Sequence, residues 1–166
     1  MIYTIINIFQ IAGVLMGFLT LLFIARKKAS ETQKVLLIAC CCAFVSILAY
    51  TLEIHARSLE AMVMAIKFGY IGKCYILLFF LMFMAYYCNV DIPKIVFRVF
   101  LVFNTVMLAI IMTCDRHQLY YKSIRLSHEG LFPHAELEKG VCYWMLMTVM
   151  IGLMAWYIFL CMVEVK

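Results

Sequence analysis

The chain has 166 residues, of which 67% are hydrophobic and 14% charged, with a net charge of +5 and a mean hydropathy of +1.03. Too few polar residues are present to coat a globule in water, so lipid is the solvent for most of the chain and a separate soluble catalytic domain is excluded. The basic residues lie in short segments between apolar runs rather than on one soluble face, which argues against a nucleic-acid partner.

The apolar pattern predicts spans at 2–25, 35–54, 61–89, 95–114 and 141–163. Each reaches or nears the about 20 residues that a helix needs to cross a hydrocarbon layer about 30 Å thick. With no water in that layer, every backbone N–H and C=O must be satisfied inside its own segment, so the runs are helices. The expected fold is an all-α integral membrane bundle of five helices, a single membrane domain over 1–166 with a loop at 115–140.

The first run begins at residue 2 without a basic leader or a small-residue cleavage site, and is expected to stay as a first span. It carries Gly13 and Gly17 one turn apart. This is a small-xxx-small spacing that permits close helix approach, either within the chain or at a homodimer seam. Arg26, Lys27, Lys28 and Lys34 crowd the loop that follows. The positive-inside rule puts this loop in the cytoplasm, the N-terminus outside and the C-terminus inside.

Cys40, Cys41 and Cys42 open a metal reading. Successive helix positions point about 100° apart, so the three thiols do not converge on one ion, and no metal or other cofactor is expected. The eight cysteines lie in or at the ends of the runs and make no disulfide framework. Charged groups inside spans are costly and call for partners. Glu53 ends the second span, and Lys67, Tyr70 and Lys73 follow in the third. Glu53 and Lys67 are expected at similar depth, as an ion pair. Lys73 is expected about 9 Å deeper, at about 1.5 Å per residue, facing the bundle interior. Two readings stay open: an outward polar pocket floored by Lys73, or a snorkelling Lys67 beside one structural hydrogen-bond cluster.

Gly69 and Gly72 in the third span, and Gly152 in the fifth, suggest further close contacts. Asn89, Asp91 and Pro93 break the chain after the third span. In the long loop, Ser127–Gly130 is a turn signal between arms at 120–126 and 131–136, so either a small β-hairpin or an irregular cap fits. His55, His117, His128 and His134 all fall on the predicted outer side, but with no metal-ligand spacing. Tyr143 and Trp144 begin the fifth span, where aromatic belts form. No phosphate loop, zinc motif or nucleophile with its base is visible, so no enzyme activity is expected.

Four stretches carry a resemblance. Leu48-Ala49-Tyr50-Thr51-Leu52-Glu53 is followed by Ser58-Leu59-Glu60-Ala61 and by Lys67-Phe68-Gly69-Tyr70-Ile71-Gly72. Thr113-Cys114-Asp115-Arg116-His117-Gln118-Leu119-Tyr120 comes later, and then Gly140 with Tyr143-Trp144. In this order they resemble the N-terminal seven-transmembrane region of bacterial histidine kinases and diguanylate cyclases. Where that family usually has Asn, this chain has Cys114 or Asp115. The family's seven helices lead to a cytoplasmic output domain; here the pattern is expected to be truncated after the fifth helix. The resemblance implies a sensory input module in a two-component or cyclase system. Its small-molecule ligand would meet Glu53, Lys67, Tyr70, Lys73, Asp115, His117 and Trp144, while Gly13, Gly17 and Gly72 serve helix packing. The alternatives are a small transporter or channel subunit, disfavoured by the lack of broken helices, and a non-catalytic membrane scaffold.

Overall fold

Serines start two of the helices. A computed structural model describes residues 2–26, 30–127, 132 and 134–164. Its elements are α1 (Ile2–Ala25), α2 (Glu31–Ile54), α3 (Leu59–Tyr87), α4 (Lys94–Met112), a 3-10 turn (Cys114–Arg116), β1 (Tyr121–Ser127), β2 (His134–Lys139) and α5 (Val141–Glu164). The Ser30 side chain accepts from the Gln33 N–H at 3.3 Å, and the Gln33 side chain accepts from the Ser30 N–H at 3.1 Å. This reciprocal cap carries α2 back to residue 31, ahead of the apolar run at 35. Ser58 caps α3 with a single bond, accepting from Ala61 N–H at 3.2 Å, so α3 begins at 59 rather than 61.

At its other end α3 stops at Tyr87 because Asn89 turns left-handed, with φ 58°. The Val90 N–H then reaches back to the Ala85 carbonyl at 2.9 Å, and the Asn89 N–H to the Tyr86 carbonyl at 3.4 Å. These two bonds close a Schellman turn, and Asn tolerates the conformation better than most residues. Pro93 then opens α4, where its missing N–H costs nothing. The helix ends at Met112, and Cys114, expected inside it, belongs to the 3-10 turn.

All five helices are long and apolar enough to cross a membrane. α4 shows how the faces divide. Ile95, Val99, Val102 and Val106 are each more than half exposed along one stripe, while Asn104, Met107 and Ile111 on the opposite side are buried. The first stripe meets lipid and the second meets the bundle. α2 and α3 form the closest pair, with α1 against α2 and α4 against α3.

The small antiparallel sheet of β1 and β2 bears out the hairpin reading of the loop. The expected turn at Ser127–Gly130 lies, beyond Ser127, outside the described residues, as do Lys27, Lys28, His128 and Glu129. Tyr121 pairs with Lys139 and Arg125 with Glu136, and the register shifts between Tyr121 and Ser123. That irregularity swings the start of β1 toward the bundle. The core gathers at this hairpin end: Met62, Ile66, Tyr70 and Cys74 of α3, Met107 and Ile111 of α4, Leu146 of α5, and Tyr120 and Tyr121.

Candidate functional site at the hairpin end

Lys67, Tyr70 and Lys73 follow at steps of three along α3, so they wind slowly around one side of the helix. Tyr70 is buried and its hydroxyl shares a hydrogen bond of 2.7 Å with that of Tyr121. Tyr120 packs edge-on against Tyr70 at 5.3 Å between ring centres, against Tyr121 at 4.8 Å and against Tyr143 at 5.8 Å. Four tyrosines from α3, the loop and strand, and α5 thus form one aromatic knot. Edge-to-face pairs of this kind add about 0.5–1.5 kcal/mol each beyond area burial. Burial first, and then the nearby Tyr70, hold the phenols of Tyr120 and Tyr121 well above their usual range, so both stay protonated at neutral pH.

Lys67 forms an ion pair with Asp115, not with Glu53 as its depth suggested. The lysine side chain is only 17% exposed and the aspartate 59%. The reason lies in rotation about the α3 axis. Lys67 follows Tyr70 toward the loop side of the helix, where the 3-10 turn delivers Asp115. Cys114, next to it, is buried; burial raises its thiol pKa, and the Lys67 charge opposes that rise only in part.

Lys73 does not face the bundle interior as its depth suggested. It is exposed, and its ammonium lies 5.3 Å from the centre of the Tyr70 ring. A Cβ on Gly69 would sit 3.7 Å from that ammonium and 3.0 Å from Ala49, so the lysine lies over the glycine at the α2–α3 seam. Glu53 feels the Lys73 charge across this seam, without an ion pair among the described residues. Tyr70 therefore touches the cap through the Tyr121 hydroxyl and the α2–α3 seam through the Lys73 ammonium.

His117 is held by its own turn. Its Nδ1 lies 3.4 Å from the Leu119 N–H, which donates to it, and its Nε2 lies 3.0 Å from the Thr113 hydroxyl. That hydroxyl already donates to the Ala109 carbonyl at 2.8 Å, so Nε2 is the protonated nitrogen in this arrangement. Trp144 is 59% exposed; its ring meets Tyr143 at 5.6 Å and the Lys139 ammonium at 5.4 Å. The Lys139 ammonium also lies 4.8 Å from the Tyr143 ring, so cation and aromatics stack at the membrane boundary.

The glycines take different roles. A Cβ on Gly72 would fall 2.2 Å from the Cys42 carbonyl and 2.4 Å from the Ser46 hydroxyl, so only glycine fits this crossing of α2 and α3. A Cβ on Gly17 would lie 3.1 Å from the Phe44 ring, while one on Gly13 or Gly152 would meet nothing within 4 Å among the described residues. Tyr120, Tyr121 and Lys139 escaped the reading of the sequence as site residues. The tyrosine doublet that begins at the end of the Thr113–Tyr120 stretch was the signal for the first two. Asn104 escaped it too: it is fully buried, with neither side-chain polar atom hydrogen-bonded among the described residues.

The model of the N-terminal 7TM region of histidine kinase matches residues 8–165. No curated protein and no solved structure matches the chain. With five membrane-length helices and that match over nearly its whole length, the chain belongs to the family of histidine kinase N-terminal 7TM regions.

Proposed function

We propose that the chain is a membrane sensory input module in which Lys67 and Asp115 act as a latch that an anionic small molecule opens. In histidine kinases the 7TM region is the sensory part, separate from the catalytic domain, which supports an input role rather than an enzymatic one. The observation that carries the latch is the Lys67–Asp115 pair itself. A mostly buried lysine on a spanning helix holds a mostly exposed carboxylate from the loop that leads into the hairpin. A carboxylate or phosphate arriving from outside would replace a partner that is already half in water. It would gain a mostly buried cation, and such charge-assisted bonds are the strong ones. Release of Asp115 would loosen the 3-10 turn and the aromatic knot, and so shift α3 against α4 between two packings. The hairpin end is then the outer end, and the α3–α4 turn faces the cytoplasm, as the basic loop after α1 requires.

Thermal unfolding of the purified full chain against a panel of small carboxylates and phosphates tests this. At least one anion is expected to raise the melting temperature. Asp115→Asn should strengthen that response by removing the competitor, and Lys67→Met should abolish it. A panel without any shift, or an equal shift in Lys67→Met, would end the proposal.

A further inference from the structure

At the far end of the bundle from the hairpin, a cleft of about 340 Å³ opens between α3, α4 and α5. Its walls are Leu81 and Ala85 of α3, Phe97 of α4, and Leu153 and Trp156 of α5. Leu81, Ala85 and Leu153 are buried against the bundle and form the floor. Lys94 and Arg98 stand at the mouth, four residues apart and so on one face of the first turns of α4. Both are exposed, and neither has an ion pair among the described residues. Asp91 also lines the mouth, so the local balance is two bases against one acid.

We infer that this cleft is a binding site for an anionic phospholipid, with one acyl chain against the apolar walls and the phosphate between Lys94 and Arg98. The charge pattern selects this occupant. A second apolar helix would find no use for two unpaired cations at its rim, and a water-soluble anion would find no use for a wall of Leu, Phe and Trp. An amphiphile with a negative head matches both parts, as basic pockets between spanning helices do for phospholipid heads. Pro93 leaves the start of α4 without a side-chain cap, so the positive end of the helix dipole adds to the two side-chain charges. Tyr86 lines the cleft beside Trp156, and aromatic rings of this kind favour the headgroup boundary.

Native mass spectrometry of the full chain in mild detergent, titrated with phosphatidylglycerol or with phosphatidylcholine of the same acyl chains, tests the inference. Phosphatidylglycerol should bind clearly tighter. Lys94→Gln with Arg98→Gln should weaken it by roughly fivefold per charge removed and leave phosphatidylcholine unchanged. Ala85→Leu, which fills the cleft, should weaken both lipids. The two surface substitutions leave the core intact, so the result stands even where Ala85→Leu fails to fold. Equal binding of the two lipids, full phosphatidylglycerol binding by the double variant, or a delipidated dimer closed over this face would overturn it.

Discussion

The hydroxyl of Tyr70, on a membrane-spanning helix, shares a 2.7 Å hydrogen bond with the hydroxyl of Tyr121, on the first strand of the cap. The bond fixes the extramembrane hairpin onto the bundle at a buried point. The Tyr70 ring also lies 5.3 Å from the Lys73 ammonium, so one side chain touches both the cap and the polar seam.

Removing one hydroxyl leaves the other buried and without its partner. Tyr70→Phe or Tyr121→Phe alone should each destabilise the protein by about 1–3 kcal/mol. The double variant should cost little more than either single one. Denaturant unfolding in detergent over the four proteins of the cycle checks this; strictly additive losses would show that the two hydroxyls do not act as a pair.

The Lys67–Asp115 pair predicts an asymmetry. Asp115→Asn leaves a mostly buried lysine without its counter-charge and should lower stability by about 1 kcal/mol, a modest figure because the aspartate is largely in water. Adding Lys67→Met to that variant should restore part of the loss. Hydrogen exchange at residues 113–117 should rise in Asp115→Asn and stay raised in the double variant, which also lacks the pair. Unchanged exchange in both would show that the pair does not hold the turn.

Gly72→Ala places a methyl group 2.2 Å from the Cys42 carbonyl, so α2 and α3 must part. A loss of about 1–3 kcal/mol is expected from this overpacking. Gly140→Ala should behave likewise, since its Cβ would fall 2.2 Å from the Leu119 carbonyl where the hairpin returns to α5. Gly13→Ala meets open space and should be neutral or slightly stabilising, because alanine favours the helix. Melting temperatures of the three variants settle the ranking, and a Gly13→Ala loss as large as that of Gly72→Ala would contradict it.

Alkali should weaken the aromatic knot. Tyr120 and Tyr121 have folded pKa values raised above the ordinary 10.0, chiefly by burial. A raised pKa means that the folded state keeps its proton where the unfolded chain loses it. Their contribution is therefore complete below about pH 10 and shrinks as pH climbs past that value. Melting temperature should fall between about pH 10 and 11, less steeply in Tyr120→Phe. Tyrosinate absorbance of Tyr120 and Tyr121, taken as the difference from the Tyr120→Phe and Tyr121→Phe variants, should appear together with unfolding rather than before it.

Asn104 offers a test of a different kind. Its carboxamide is fully buried with no hydrogen bond among the described residues, which costs about 1–3 kcal/mol. Asn104→Leu should stabilise the chain by a similar amount. A loss of stability instead would mean that the amide has a partner, such as a buried water.

Span number and helical character were legible without coordinates, because lipid leaves an apolar run of this length one way to satisfy its backbone. The ends were less legible. Ser30 with Gln33 and Ser58 with Ala61 extend α2 and α3 beyond their apolar runs through side-chain caps that hydropathy does not weigh. In the loop, β-branched and aromatic residues beside a turn signal were enough to suggest the hairpin, which packing of Tyr120 and Tyr121 into the bundle then supports.

The pairing of charges was decided by tertiary structure. Depth along a helix follows from counting residues, and by depth Glu53 and Lys67 are natural partners. Rotation about the helix axis does not follow from counting, because a spanning helix is apolar on every side and its pattern marks no inward face. That rotation came from Gly72 seating α3 against the Cys42 carbonyl, and from the tyrosines drawing the loop over α3. Once set, it turned Lys67 to Asp115 and left Lys73 to Tyr70 and Glu53. Composition thus dictated how often the chain crosses the bilayer; close packing dictated which of its few polar groups meet.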